Sequence, residues 1–214
     1  MKTFDRYITE KIKLSNDRFN KKINSEYVDF DLPSGTLWAT CNLGANKPWE
    51  TGDYYAWGET EEKIEYKFNN YKFYGQNQKN LIKYTREDRL IELEPEDDAA
   101  TINLGNNWHI PTYDQIKELL DYTEHDFVFN YNNTKINGML FKENGEELFI
   151  PASGYFTDKH IMFKNCNCYI WSSTLLFAGD DYFKGRHLCC FKEGTDRGGS
   201  YRELGLQIRP VLNK

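Results

Sequence analysis

At 214 residues the chain has room for one domain with a full core plus a tail, and an aromatic content of 16% in an otherwise polar composition excludes a disordered chain. No apolar run approaches the roughly 20 residues that span a bilayer. The formal charge is −6, and residues 1–27 hold seven Lys/Arg against Asp5, Glu10, Asp17 and Glu26, a net of +3, so the rest carries −9. An acidic body of this kind lacks the basic face that nucleic-acid binding needs.

Taken in order, residues 4–14 place Phe4, Ile8 and Ile12 on one helical stripe, and the polar stretch 15–26 reads as a linker. Three turns of helix are marginal alone, so 1–26 is expected to be an amphipathic tail, either lying on its own domain or docking it to a larger assembly. The stretch MKTFDRYITEKIKL has neither a continuous apolar segment nor a small-residue cleavage site, which reads as no secretory signal and a cytoplasmic or virion-associated protein.

From Tyr27 the period becomes two. Val28, Phe30 and Leu32, then Leu37, Ala39, Cys41 and Leu43, predict a hairpin with these residues inside and Trp38, Thr40 and Asn42 outside. Asp53–Glu59 (DYYAWGE) reads as another short strand, and 60–90 as a long excursion without period. Glu87–Asp98 carries seven acids, with Arg89 its one cation. No EF-hand spacing is present, and Pro95–Asp98 reads instead as the acidic start of a short helix containing Ala99 and Ala100.

Asn107–Leu120 (NWHIPTYDQIKELL) is the best-specified stretch. Thr112 with Gln115 predicts a capping box, Pro111 with Ile116 a hydrophobic staple, and Ile116, Leu119 and Leu120 the buried face of a main helix over 112–121. Asn144-Gly145 between Ile136–Lys142 and Glu146–Ile150 predicts a hairpin. PASGYF (151–156) and YIWSST (169–174) read as inner strands, 175–203 as irregular, and Leu204, Leu206 and Ile208 as a closing strand.

The five cysteines, Cys41, Cys166, Cys168, Cys189 and Cys190, are odd in number and are expected to be reduced thiols. The spacings 166-x-168 and 189–190 miss the C-x₂₋₄-C pattern of structural zinc, so no metal or cofactor is expected. No metalloprotease, nucleophile-elbow or phosphate-loop motif is present, and His109, His125, His160 and His187 each lack an adjacent partner motif.

Seven blocks occur in order: LPSGTLWATCNLGA (32–45), GDYYAWGET (52–60), LEPEDDAAT (93–101), NWHIPT (107–112), IPASGY (150–155), YIWSST (169–174) and IRPV (208–211). Together they resemble the Fibrobacter succinogenes major paralogous domain, common in gut Bacteroidetes and their phages. The resemblance covers about 27–212. It implies an α+β, C-type-lectin-like fold of twisted, mostly antiparallel sheets, with one main helix, a short second helix and paired N- and C-terminal strands. The chain departs from the family in lacking an export signal, in having Asp121–Glu124 where many members place a second cysteine, and in its extra tail.

What the resemblance implies for function is a non-enzymatic ligand- or receptor-binding module. Some relatives are the variable proteins of diversity-generating retroelements, and 175–203 would be the equivalent region here. Its aromatics and arginines are types that dominate binding hot spots, so Phe177, Asp180, Asp181, Tyr182, Arg186, His187, Arg197, Tyr201 and Arg202 are the candidate ligand contacts. Phe177, Tyr182, Arg186, His187, Tyr201 and Arg202 are expected on one exposed face, above buried Trp171, Leu204, Leu206 and Ile208. The ligand would be a protein or a glycan. The alternatives are a structural or virion-assembly protein and an enzyme related to formylglycine-generating folds.

Overall fold

The computed structural model describes residues 27–75, 81–178 and 181–214; the tail expected at 1–26 and Asp180 lie outside them, and Asp181 enters through its backbone. Strand β2 (Thr36–Ala39) is the centre of an antiparallel sheet, with β1 (Tyr27–Val28) on one edge and the C-terminal β12 (Val211–Asn213) on the other. Because β2 is sandwiched, all four of its residues are buried, Trp38 completely. The expected outward Trp38 is therefore corrected. So is the register beyond it: Cys41 is half-buried, while Asn42 turns inward, its amide donating to Thr51 O and its Oδ1 accepting from Arg209.

Two helices follow. Asp98 caps α1 (Ala99–Leu104), one carboxylate oxygen accepting from Thr101 N and the other from Ile110 N. Helix α2 (Tyr113–Tyr122) starts at the capping box predicted from Thr112 and Gln115, with reciprocal bonds of 3.2 and 2.9 Å. Ile116 and Leu119 are its buried face, as their spacing requires. An antiparallel sheet of β3 (Glu124–Val128), β4 (Gly138–Glu143) and β5 (Glu146–Pro151) comes next, and Asn144-Gly145 forms the predicted turn with both residues at positive φ. A small hairpin pairs β6 (Tyr155–Thr157) with β7 (His160–Met162).

The region expected to be irregular is the largest sheet. β8 (Cys168–Ala178) and β9 (Asp181–Phe191), 11 residues each, run antiparallel, and β10 (Gly194–Asp196) and β11 (Gly199–Tyr201) pair with the other edge of β9. This sheet divides two cores. Trp171 and Leu175 point into one, with Trp57, Tyr66, Tyr71, Phe73 and Tyr84. Cys168, Ile170, Leu188 and Cys190 point into the other, with Trp38, Ile116, Leu119 and Phe141. The expected inner strand 169–174 is the first part of β8, while burial on both faces removes the period-two alternation that would have announced β9. Among its described residues the excursion at 60–90 forms no long element, yet Tyr66, Tyr71, Phe73 and Tyr84 are core, while Phe68 is exposed.

Two further expectations are corrected. DYYAWGE makes one bridge, Tyr55 to Leu206, before turning, and residues 204–208 form isolated bridges, with the closing strand at β12. Leu206 and Ile208 are buried, Leu204 partly so.

Side chains of the seven blocks hold one another. Trp57 Nε1 donates to Ser172 O at 2.8 Å, Trp171 Nε1 to Tyr55 O at 2.7 Å, and the Tyr54 hydroxyl to Ser153 O at 2.7 Å. Arg209, fully buried, donates to Ala39 O, Thr40 O, Phe149 O and Asn42 Oδ1. Burial pulls its pKa down to about 10. These motif residues build the frame. The molecule is a mixed α+β domain of mostly antiparallel sheets with one main helix.

Candidate functional site

Helix α2 crosses one face of the β8–β9 sheet and leaves part of it open. There the Arg186 guanidinium lies 4.0 Å from the centre of the Tyr113 ring, and Lys117 Nζ lies 5.2 Å from the same ring. On the neighbouring strand Tyr201 is opposite Lys184, whose ammonium sits 5.1 Å from the Tyr201 ring. Arg186 and Lys184 are two apart on β9, so both belong to this face. Arg197, exposed, reaches Asp121 at the far end of α2 at 3.6 Å. The result is a basic and aromatic surface on α2, β9 and β11. Gly185 lies between the two cations on the opposite face, where a Cβ would fall 2.4 Å from the Trp57 ring, so only glycine lets β9 seat on that indole.

Of the expected contacts, Phe177, Arg197 and Tyr201 are exposed and Arg186 is half-buried on Tyr113. Tyr182 is half-buried against the larger core. His187 and Arg202 are buried, 5% and 1% exposed, and this corrects their placement on the surface. Arg202 turns inward because the loop before α1 offers it two carbonyls, Tyr84 O at 2.6 Å and Lys83 O at 3.3 Å, while its guanidinium covers the Trp57 ring. The single face of six residues drawn from the sequence is thus not formed. A smaller one remains, and it includes Tyr113, Lys117 and Lys184, which the sequence reading missed. Tyr113 was hidden because a helix position facing another strand has no local signature.

His187 is enclosed by side chains of the neighbouring strands of its own sheet. Its Nδ1 is 2.9 Å from Ser200 Oγ, and its buried Nε2 has no hydrogen-bond partner, with Asp196 Oδ2 3.7 Å away. The Tyr169 ring meets the imidazole edge-on. Burial pushes its pKa below the usual histidine value, partly offset by Asp196.

The five cysteines are free thiols. Cys168 and Cys190 are directly opposed on β8 and β9. Trp171 N–H bonds to Gln207 O and His187 N–H to Gly198 O, both away from the β8–β9 seam. By alternation Cys168–Cys190 is then a hydrogen-bonded pair, with Cβ atoms roughly 5.5 Å apart, whereas a disulfide wants about 3.8 Å. Burial also pushes the Cys189 thiol up to about 11 and raises Cys190 well above the usual thiol value, so neither supplies a thiolate near neutral pH.

Among the described residues, Glu94, Glu96 and Asp97 form the one cluster with metal-ligating geometry. Lysines occupy it: Lys83 Nζ bonds Asp97 at 2.6 Å, Glu96 at 3.3 Å and also Glu94, Lys72 takes the other Asp97 oxygen, and the Tyr84 hydroxyl donates to Asp97.

A groove of about 570 Å³ opens elsewhere, beside the β1–β2–β12 sheet, lined by Tyr27, Asn106, Asn107, Trp108, His109, Leu212 and Asn213. Compared with protein-family models, curated proteins and solved structures, the chain finds no match.

Proposed function

We propose that the domain is a non-enzymatic ligand- or receptor-binding module on a C-type-lectin-like scaffold, with the Arg186–Tyr113 and Lys184–Tyr201 surface as its recognition face. The observation that carries this reading is the stacking of Arg186 on Tyr113. The aromatic plane holds the guanidinium in place, so less side-chain freedom is lost when a partner docks, and Arg and Tyr are the types that concentrate binding energy. The buried Cys189 and Cys190 thiols, pushed up by burial, and the enclosed His187 favour binding over nucleophilic chemistry.

The scaffold and the link to phage or retroelement-diversified proteins rest on the seven-block resemblance to the Fibrobacter succinogenes major paralogous domain. The pairing of C-terminal β12 with β2 agrees with it.

The test follows from that resemblance. Fluorescent full-length protein is mixed with a panel of gut Bacteroidetes cells and read by flow cytometry. Arg186→Ala and Tyr201→Ala should each weaken saturable binding by about 1–4 kcal/mol. Binding unchanged in both variants would remove this face from consideration. One observation favours the assembly reading instead: burial of His187 and Arg202 shrinks the available surface. On that reading neither substitution affects cell binding, and deleting residues 1–26 abolishes incorporation into a larger particle.

A further inference from the structure

The groove beside β12 has a composition unlike the rest of the surface. Among the described residues, no Lys, Arg, Asp or Glu lines it, although charged residues make up 28% of the chain. Its polar groups are three primary amides, from Asn106, Asn107 and Asn213, with the His109 ring. Its apolar surface is Tyr27, Trp108 and Leu212. Asn106 and Asn107 are exposed, and their side chains form no hydrogen bond to any described residue. Asn213 accepts from Gln115 Nε2 at 3.2 Å through its oxygen, which leaves its amino group to donate. The Trp108 indole N–H is likewise without a protein acceptor, yet it is not among the enclosed unpartnered groups, so it reaches solvent.

Backbone hydrogen bonds tie the walls together. Residues 106–109 leave helix α1 after Gly105, Trp108 N–H bonds back to Gly105 O, and His109 exchanges two 2.9 Å backbone bonds with Val211. On the sheet side, Tyr27 opposes Ala39 and Leu212 opposes Leu37, so the two lie on the same face of β2. Tyr27, His109, Leu212 and Asn213 are thus presented on paired backbone before any ligand arrives, while Asn106 and Asn107 sit in the exposed turn after α1.

Each amide carries a donor and an acceptor side by side, the match for neighbouring hydroxyls. The exposed Tyr27 ring suits an apolar C–H face, with the mostly buried Trp108 beside it. The described lining residues offer an anionic or cationic ligand no counter-charge. A volume of about 570 Å³ lies within the range of about 300–1,000 Å³ usual for small-ligand sites. From this chemistry we infer that the groove is a binding site for a neutral carbohydrate, one or two hexopyranose units long. It is distinct from the basic and aromatic face on α2, β9 and β11.

The experiment uses the full-length chain labelled with ¹⁵N. Methyl glucoside, methyl galactoside, methyl mannoside and the neutral disaccharides of these sugars are titrated to tens of millimolar, with sialyllactose as the acidic comparison. The expected result is a saturable shift of the Asn106, Asn107 and Asn213 side-chain amides and of the Trp108 indole N–H with at least one neutral sugar. The double variant Asn106→Ala/Asn107→Ala, at two exposed positions without hydrogen bonds, should raise the dissociation constant at least tenfold and leave the remaining spectrum dispersed. Arg186→Ala should leave the sugar titration unchanged, which separates this site from the recognition face. Absence of a saturable shift with every neutral sugar, equal shifts in the double variant, or preference for sialyllactose would each overturn the assignment.

Discussion

Arginine and aromatic residues meet in two regions of this domain, and they do opposite work. On the α2–β9–β11 surface, Arg186 and Lys184 lie over Tyr113 and Tyr201 at the solvent boundary. In the closing segment 202–209, Arg202 lies over Trp57 and Arg209 is surrounded by backbone carbonyls, both fully enclosed. The difference follows from the backbone. Strands β9 and β11 satisfy their own peptide groups through a ladder, so their side chains are free to face outward. Residues 202–209 and the loops around them form scattered bridges, and carbonyls left over in a protein interior need donors. A guanidinium offers five N–H groups in one plane and is never deprotonated at neutral pH. Where the chain is irregular and buried, arginine acts as a cross-link.

The sharpest way to break this comparison is Arg209→Ala. It removes the donor to Ala39, Thr40 and Phe149 carbonyls and to Asn42 together, and no carboxylate is present to be released. The expected loss is more than about 4 kcal/mol, seen as failure to fold or a collapse of the urea midpoint. A loss under about 1 kcal/mol would mean that water replaces the guanidinium, and the cross-link reading would be wrong.

Arg202→Ala should come next, at about 2–4 kcal/mol in the same denaturation assay, because two carbonyls and the Trp57 ring lose their partner. A surface arginine would cost a fraction of that, so this substitution tests directly the inward placement that the sequence did not reveal.

His187 lies on the boundary between the two regions, and its effect depends on pH. Its folded pKa is depressed by burial, whereas in the unfolded chain it titrates at its ordinary value of about 6.5. The unfolded state therefore binds the proton more readily, and the contribution of the neutral imidazole is complete above pH 6.5 and lost as pH falls below it. One group changes stability by at most about 1.4 kcal/mol per pH unit. Urea melts at pH 7, 6 and 5 should show a steeper decline for the natural chain than for His187→Gln. Parallel curves would mean that Asp196 compensates fully for burial.

The smallest effect on stability should come from Arg186→Ala, within roughly 0.5 kcal/mol as for other surface substitutions. Paired with the Arg202→Ala result, it measures how far one residue type can differ in role across a single strand pairing.

Much of the frame was legible from residue order. The Thr112–Gln115 capping box, the acid-led start of α1 and the Asn144-Gly145 turn are set by bonds between residues a few positions apart, so local sequence decides them. The positions of Val28, Phe30, Ile116 and Leu119 followed from their spacing for the same reason. Other features depended on what the chain meets after folding. Trp38 is buried because β12 arrives from the other end of the chain, and β9 is a strand without alternation because core packs against both of its faces. His187 and Arg202 are enclosed because residues far away in sequence supply the packing and the carbonyls. Local bonding specifies caps and turns; burial belongs to whichever distant segment covers a residue, and only the tertiary structure decides that.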